Sequence, residues 1–343
     1  MDPLPIPPHK GEGERRGPPY KGEGETKKVL IEGPLFRVDT VTQLLAGIDV
    51  VIESPPRPWS GDDVIGLLVW KGVTASDMEQ LPNLGAIVTG SIGVDHIDLE
   101  AARRRGVWVC NVPDYCIEEV ADSTIAMLLA LLRGVVALDR SVRDGQWDDH
   151  AAGPLPRLSD TRLGIIGFGR VGRAVGKRAK ALGLETWASD PLLSADEITA
   201  AEANPASLDE LLANCTAVTL HLPLTPQTAG LIGANELARM RPGSYLINAA
   251  RGQLVDLDAL IAALDRGHIA GAAIDVLAAE PPTASQPAPR HPKLIVTPHA
   301  AWYSPTSEGE LVRRSTLSLR AILEGRDPEG IVVRAERLYL TTP

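Results

Sequence analysis

An apolar segment, Leu163–Ile166, runs into Gly167, Gly169 and Gly172 in G-x-G-x-x-G spacing, and then into a helical period over Arg173–Leu182. A strand that feeds a helix through this glycine spacing is the context in which a backbone can close on a pyrophosphate. Gly167 permits the tight turn, Gly169 lets the main chain approach the phosphates, and Gly172 lets helix and strand pack closely. The N–H groups at the helix start, Arg170 and Val171, then face an anion with the positive end of the helix dipole behind them. Past the next strand stands Asp190, whose carboxylate accepts hydrogen bonds from ribose hydroxyls and repels an added phosphate. The segment therefore predicts a Rossmann domain that binds NAD.

The glycine segment opens a regular βα series. Its strands are expected at Leu163–Ile166, Glu185–Ala188, Ala217–Leu220, Tyr245–Asn248, Ala272–Asp275 and Leu294–Thr297, with helices between them. A second alternation precedes it, with strands at Val29–Ile31, Val50–Ile52, Ile65–Trp70, Ala86–Thr89 and Val107–Asn111. Alternation of this kind predicts α/β architecture with two doubly wound parallel sheets. The expected division is a tail at 1–26, a discontinuous domain at 27–125 plus 301–335, and the NAD domain at 126–300. The tail repeats KGEGE at Lys10–Glu14 and Lys21–Glu25 and is too polar to offset the entropy of ordering it. The apolar helix expected over Ile117–Leu132 is hydrophobic on too many faces for a surface position, which favours burial against a second subunit.

Bulk composition narrows the partners. The formal net charge of −10, with only one tight basic run outside the tail, at Arg103–Arg105, argues against nucleic acid or an anionic membrane. Three cysteines at unrelated spacings draw neither a disulfide framework nor a zinc pattern, and no metal site is expected. With no secretory h-region and no long apolar run, a cytoplasmic location is the expectation.

Ligands of open α/β sheets sit beyond the carboxyl ends of the strands. Arg251, Asp275, Glu280 and His299 all fall there. A histidine suits proton transfer during carbonyl reduction because its reference pKa is near ~6.5. Glu280 can orient its ring, and the planar fork of Arg251 suits a substrate carboxylate and carbonyl. His221 is read as shaping the cofactor pocket.

The stretches GFGRVG, NAARGQLVD, GAAIDVLAAEPP and VTPHAAWYS resemble the D-isomer-specific 2-hydroxyacid dehydrogenase family. Within it, VCNVPDYCIEEVADSTIAMLLALLR and HAAWYS look most like the C-terminal binding protein branch of NAD-binding corepressors. The resemblance implies a homodimeric NAD-dependent enzyme that interconverts a small 2-oxo acid and its D-2-hydroxy acid, with the discontinuous first domain as a flavodoxin-like substrate (lid) domain. The alternative on the same fold is an NAD(H)-sensing dimeric binding protein. It also implies catalytic roles for Arg251, Glu280 and His299, with His299 as acid/base. Asp275 would hold the nicotinamide amide; Thr124, Ala249, Ala250, Arg251 and His299 would touch the cofactor; His221, Leu222 and Pro223 would border it. Backbone N–H groups of Ile92 and Gly93 would take the substrate carboxylate, and Trp302 would wall the pocket. Where several relatives carry an Arg near the substrate mouth, this chain has Thr89, which makes a second anionic group on the substrate less expected.

Overall fold

The computed structural model describes residues 27–335, so the expected tail at 1–26 lies outside the described residues. The chain divides into two compact units, one running up to Tyr115 and resuming at Ser304, the other Cys116–Tyr303.

In the first unit, β1 (Lys28–Ile31), β2 (Val51–Glu53), β3 (Val64–Val69), β4 (Ala86–Thr89) and β5 (Trp108–Cys110) form a parallel sheet in the order 5-4-3-1-2. This is the doubly wound flavodoxin-like order. Helices α1 (Val38–Leu44), α2 (Ala75–Glu79) and α3 (Leu99–Arg105) are the crossovers. β3 is buried at every residue, as a strand covered on both faces must be. The Arg103–Arg105 run lies in the last turn of α3, ahead of a left-handed Gly106, where cations complement the helix dipole.

The second unit opens with α4 (Ile117–Leu132) and α5 (Val135–Arg143). Its strands are β6 (Arg162–Ile166), β7 (Glu185–Ser189), β8 (Asn204–Pro205), β9 (Ala217–Leu220), β10 (Ser244–Asn248), β11 (Ile269–Ile274) and β12 (Leu294–Val296). They form one parallel sheet in the order 8-7-6-9-10-11-12, the Rossmann order carried one strand further. Helices α6 (Arg170–Ala181), α7 (Ala195–Ala200), α8 (Leu208–Asn214), α9 (Ala234–Arg239) and α10 (Leu257–Asp265) cover its faces. The seventh strand, β8, was not expected. It has two residues, one of them proline, and such a strand fits only at an edge, where a missing N–H breaks no ladder.

The chain returns to the first unit through α11 (Pro305–Leu323), capped by Ser304, and ends in β13 (Ile331–Val333), antiparallel to β5.

The expected boundary at 125/126 falls within α4, whereas the division into compact units precedes that helix. The reason is packing. Ala121, Thr124, Ile125, Met127, Leu128, Leu131 and Leu132 of α4 are buried, and its apolar residues join the core with Val175 and Ala179 of α6. The apolar faces of Ile117–Leu132 are therefore consumed within one unit, and their burial gives no argument for a second subunit. Exposed apolar surface lies on the next helix: Val135 is 56% and Val142 50% exposed, and Trp147 beyond them 93%.

Candidate active site

The glycine turn at the end of β6 leaves no room for side chains. Gly167 has φ +86°, and a Cβ there would lie 2.6 Å from the His221 carbonyl oxygen. A Cβ on Gly172 would lie 2.2 Å from the Gly167 carbonyl oxygen. Gly169 is the N-cap of α6 and offers no side-chain cap, so the first N–H groups of that helix, at Arg170 and Val171, are left for a ligand. Asp190, just past β7, fastens the turn. Its Oδ2 accepts the Phe168 N–H at 2.8 Å and its Oδ1 the Leu192 N–H at 2.9 Å. Each oxygen keeps lone-pair capacity for a ribose hydroxyl. A flush backbone at a helix start beside a carboxylate fits an NAD molecule.

His221 follows β9 and hydrogen-bonds Thr219 Oγ1 through Nε2 at 3.0 Å. Burial pushes its imidazole down to about 3, so the ring is neutral. Leu222 packs on Gly167, and Pro223 follows in the same loop. Thr124 is turned inward: it is 1% exposed and donates its hydroxyl to the Val120 carbonyl of its own helix.

The strand ends beyond β10, β11 and β12 are tied into one cluster. Buried Asn248 folds the Ala249–Ala250–Arg251 turn, its Oδ1 accepting the Ala250 N–H at 3.0 Å and its Nδ2 donating to the Arg251 carbonyl at 2.8 Å. Gly252 then abuts the next loop, since a Cβ there would lie 2.0 Å from the Leu277 carbonyl carbon. Gln253 Nε2 donates to the Ala278 carbonyl across the same junction at 3.0 Å.

From the β11 loop, Glu280 reaches both ways. Its Oε1 accepts the Leu277 N–H and its Oε2 meets His299 Nδ1, each at 2.6 Å. A carboxylate there can only accept, so Nδ1 carries the proton and Nε2 is the ring atom left to exchange one. Burial works against the Glu280 charge. The His299 and Leu277 hydrogen bonds, with the positive charges of His299 and Arg251, outweigh it and hold the carboxyl below its ordinary value.

His299 itself sits at φ +51°, in the left-handed region. Asp275 is the device that holds it there. This residue is 2% exposed; its Oδ1 accepts Thr297 Oγ1 at 2.5 Å and Ala300 N–H at 2.9 Å, and its Oδ2 accepts Ala301 N–H at 2.9 Å. Its carbonyl also accepts the His299 N–H at 2.7 Å. The nicotinamide contact expected of Asp275 therefore competes with three bonds already made to the histidine loop. Trp302, at the end of that loop, stands edge-on to Tyr303 at 5.6 Å.

In the first unit, Ile92 and Gly93 lie in the loop after β4. Thr89 is fully buried and bonds His96 Nε2 at 2.9 Å and Ser91 Oγ at 3.0 Å. Asn248, Thr297 and His96 were missed as site-building residues. Only the position of Asn248, the last residue of a strand before Arg251, offered a signal in the sequence.

A Rossmann sheet with this glycine turn, and a Glu–His pair beyond its strand ends, defines a dinucleotide-dependent dehydrogenase. Residues 125–301 match the family model described as D-isomer specific 2-hydroxyacid dehydrogenase, NAD binding domain. The chain is 34% identical over 283 residues to a glyoxylate reductase of Thermofilum pendens, covering 79% of this chain and 81% of that one. It is 36% identical over 265 residues to a glycerate dehydrogenase of Methylorubrum extorquens, covering 75% and 82%. The crystal structure of a D-lactate dehydrogenase from Aquifex aeolicus, complexed with NAD and lactic acid, superimposes with a TM-score of 0.79 at 27% identity, covering 87% and 96%. The chain belongs to the D-isomer specific 2-hydroxyacid dehydrogenase family and is an NAD-dependent 2-hydroxyacid dehydrogenase. The likeness to the corepressor branch gains no support from these relatives, which carry enzyme names. Among the described residues, no single helix is long and apolar enough to cross a membrane.

Proposed function

We propose that the chain reduces a small 2-oxo acid to its D-2-hydroxy acid, with His299 as the proton donor. The observation that carries this reading is the 2.6 Å contact between Glu280 Oε2 and His299 Nδ1, which dedicates the opposite ring nitrogen to the substrate. When bound, NADH would supply a hydride, two electrons with one hydrogen, to the carbonyl carbon and leave as NAD+. His299 Nε2 gives a proton to the carbonyl oxygen as it becomes a hydroxyl, and Glu280 stabilises the charged ring before the transfer. Arg251 polarises the same carbonyl and pairs with the carboxylate, which places two cationic donors where negative charge develops. In the oxidation direction the neutral ring takes the proton back.

The Ile92 and Gly93 N–H groups are assigned to the substrate carboxylate, and Trp302 is assigned to the substrate side chain. Thr124 and Asp275 keep secondary roles at the cofactor, behind the inward bonds they already make. The names of the two relatives favour glyoxylate and hydroxypyruvate as substrates. Val135, Leu138 and Val142 share one face of α5 and lead to Trp147, and this surface is assigned to a homodimer contact. A cytoplasmic location fits the composition.

The test is NADH oxidation by the purified protein on glyoxylate, hydroxypyruvate, pyruvate and phenylpyruvate, beside His299→Asn. Turnover that the variant loses while it still binds NADH supports the assignment. Turnover retained by the variant overturns the role of His299.

A further inference from the structure

The loop after β4 has three consecutive carbonyl groups, and each is held from the protein side. Ser91 O accepts the Val112 N–H at 3.1 Å, Ile92 O accepts Asn111 Nδ2 at 2.6 Å, and Gly93 O accepts Ser91 Oγ at 2.6 Å. The peptide bonds here are trans, since the cis bonds among the described residues are Arg57–Pro58 and Glu280–Pro281. In a trans peptide the C=O and the following N–H point in opposite directions. Tying down each oxygen therefore turns the following N–H group, of Ile92, Gly93 and Val94 in turn, away from that oxygen's partner.

The side-chain bonds form a chain with one possible direction. Ser91 has a single proton, committed to the Gly93 carbonyl, so its oxygen accepts from Thr89. The Thr89 proton is thereby spent, and Thr89 Oγ1 must accept from His96 Nε2–H at 2.9 Å. A histidine with its Nε2 protonated thus stands at the head of a relay that ends on the Gly93 carbonyl. Bonds in such a series polarise one another in the same sense. His96 is anchored by its own carbonyl, which accepts the Val73 N–H at 3.1 Å and leaves no room for a Cβ on Gly72. Asn111 is anchored from the opposite side, its N–H donating to the Gly330 carbonyl at 2.9 Å.

We infer that Asn111 and the His96–Thr89–Ser91 relay are positioning residues that hold the Ile92 and Gly93 N–H groups in the geometry that grips the carboxylate of a 2-oxo acid. The inference rests on the assignment of those two N–H groups to the carboxylate. It also gives Thr89 a task in place of a surface charge: its hydroxyl orders the loop from beneath.

The test compares Thr89→Val, Thr89→Ser and Asn111→Ala with the wild type, using glyoxylate as substrate and oxamate as a non-reacting analogue. The valine variant keeps the shape of Thr89 and loses the relay; the serine variant keeps the hydroxyl. Thr89→Val and Asn111→Ala are expected to raise the glyoxylate KM and the oxamate inhibition constant about tenfold, the loss of one charge-assisted hydrogen bond. The kcat is expected to fall far less, NADH affinity to stay constant, and Thr89→Ser to restore the wild-type KM. Unchanged KM and inhibition constants overturn the inference, as does a parallel fall in kcat and NADH affinity, which would mark general structural damage. Ile92→Pro and Gly93→Pro each delete one N–H group and separate the two levels. If a folded proline variant keeps the wild-type KM, the carboxylate assignment fails; if it raises KM while Thr89→Val does not, the relay alone fails.

Discussion

His299 Nδ1 stands 2.6 Å from Glu280 Oε2, on a histidine whose backbone is held at φ +51°. Ring and backbone of this residue are thus set by different partners: Glu280 governs the imidazole, and Asp275 governs the loop that carries it.

Glu280→Gln is expected to lower turnover by about 10–100-fold while leaving NADH affinity in place, because the ring loses its orienting anion. The stability effect has a definite sign. The Glu280 carboxyl lies below its ordinary value of 4.5 when folded, so its stabilisation is present above that value and is lost as pH falls through the lowered one. The melting-temperature gap between wild type and variant should be present near neutral pH and close below roughly pH 4. A gap that stayed open well below that pH would contradict the pairing.

Asp275→Asn places an amide N–H₂ against donors that now meet a carboxylate, whichever way the amide is turned. With the group 2% exposed, a loss of about 2 kcal/mol is expected. For a unit of this size that corresponds to a fall in melting temperature of about 4–8 °C. Turnover should fall with it as the His299 loop loosens. An unchanged melting temperature, with NADH affinity reduced instead, would return Asp275 to a purely cofactor-binding role.

Gly172→Ala sets a methyl group 2.2 Å from the Gly167 carbonyl oxygen, which belongs to the backbone and cannot swing aside. NADH affinity, read by fluorescence titration, should drop at least about tenfold. Gly309, in α11, is the control: a Cβ there meets nothing within 4 Å. Its replacement by alanine should raise stability by about 0.5–1 kcal/mol and leave NADH binding unaltered.

Trp147→Glu is expected to convert a wild-type dimer to monomer in light scattering, with the folded units intact by circular dichroism. The 93% exposure of this indole is the basis. A wild type that is already monomeric at micromolar concentration would remove the α5 face from the dimer assignment.

The sequence disclosed what depends on local pattern. Gly167, Gly169 and Gly172, the strands around them, and the positions of Arg251, Glu280 and His299 at strand ends could all be read from spacing and period. It did not disclose what depends on which side a group faces. The apolar period of α4 fits a helix buried in its own core as well as one buried against a partner, and only packing on α6 decides. Thr89 and His96 are seven positions apart around a loop, so their bond could not be inferred from helical or strand periodicity. Asp275 reads as a free acid at a strand end because the three donors it satisfies belong to a segment more than twenty residues later. β8 was invisible because two residues carry no period.

The pairing of β13 with β5 has a consequence for synthesis. The second unit is complete once Tyr303 has left the ribosome, so its NAD site can form while the first unit still lacks α11 and its last strand. Asn111 emerges early but waits for Gly330, its backbone anchor, until the entire second unit has been made. The nascent enzyme is thus built in the order cofactor first and substrate last, and a message cut short before Gly330 would yield a chain able to hold NAD with no working grip on an acid.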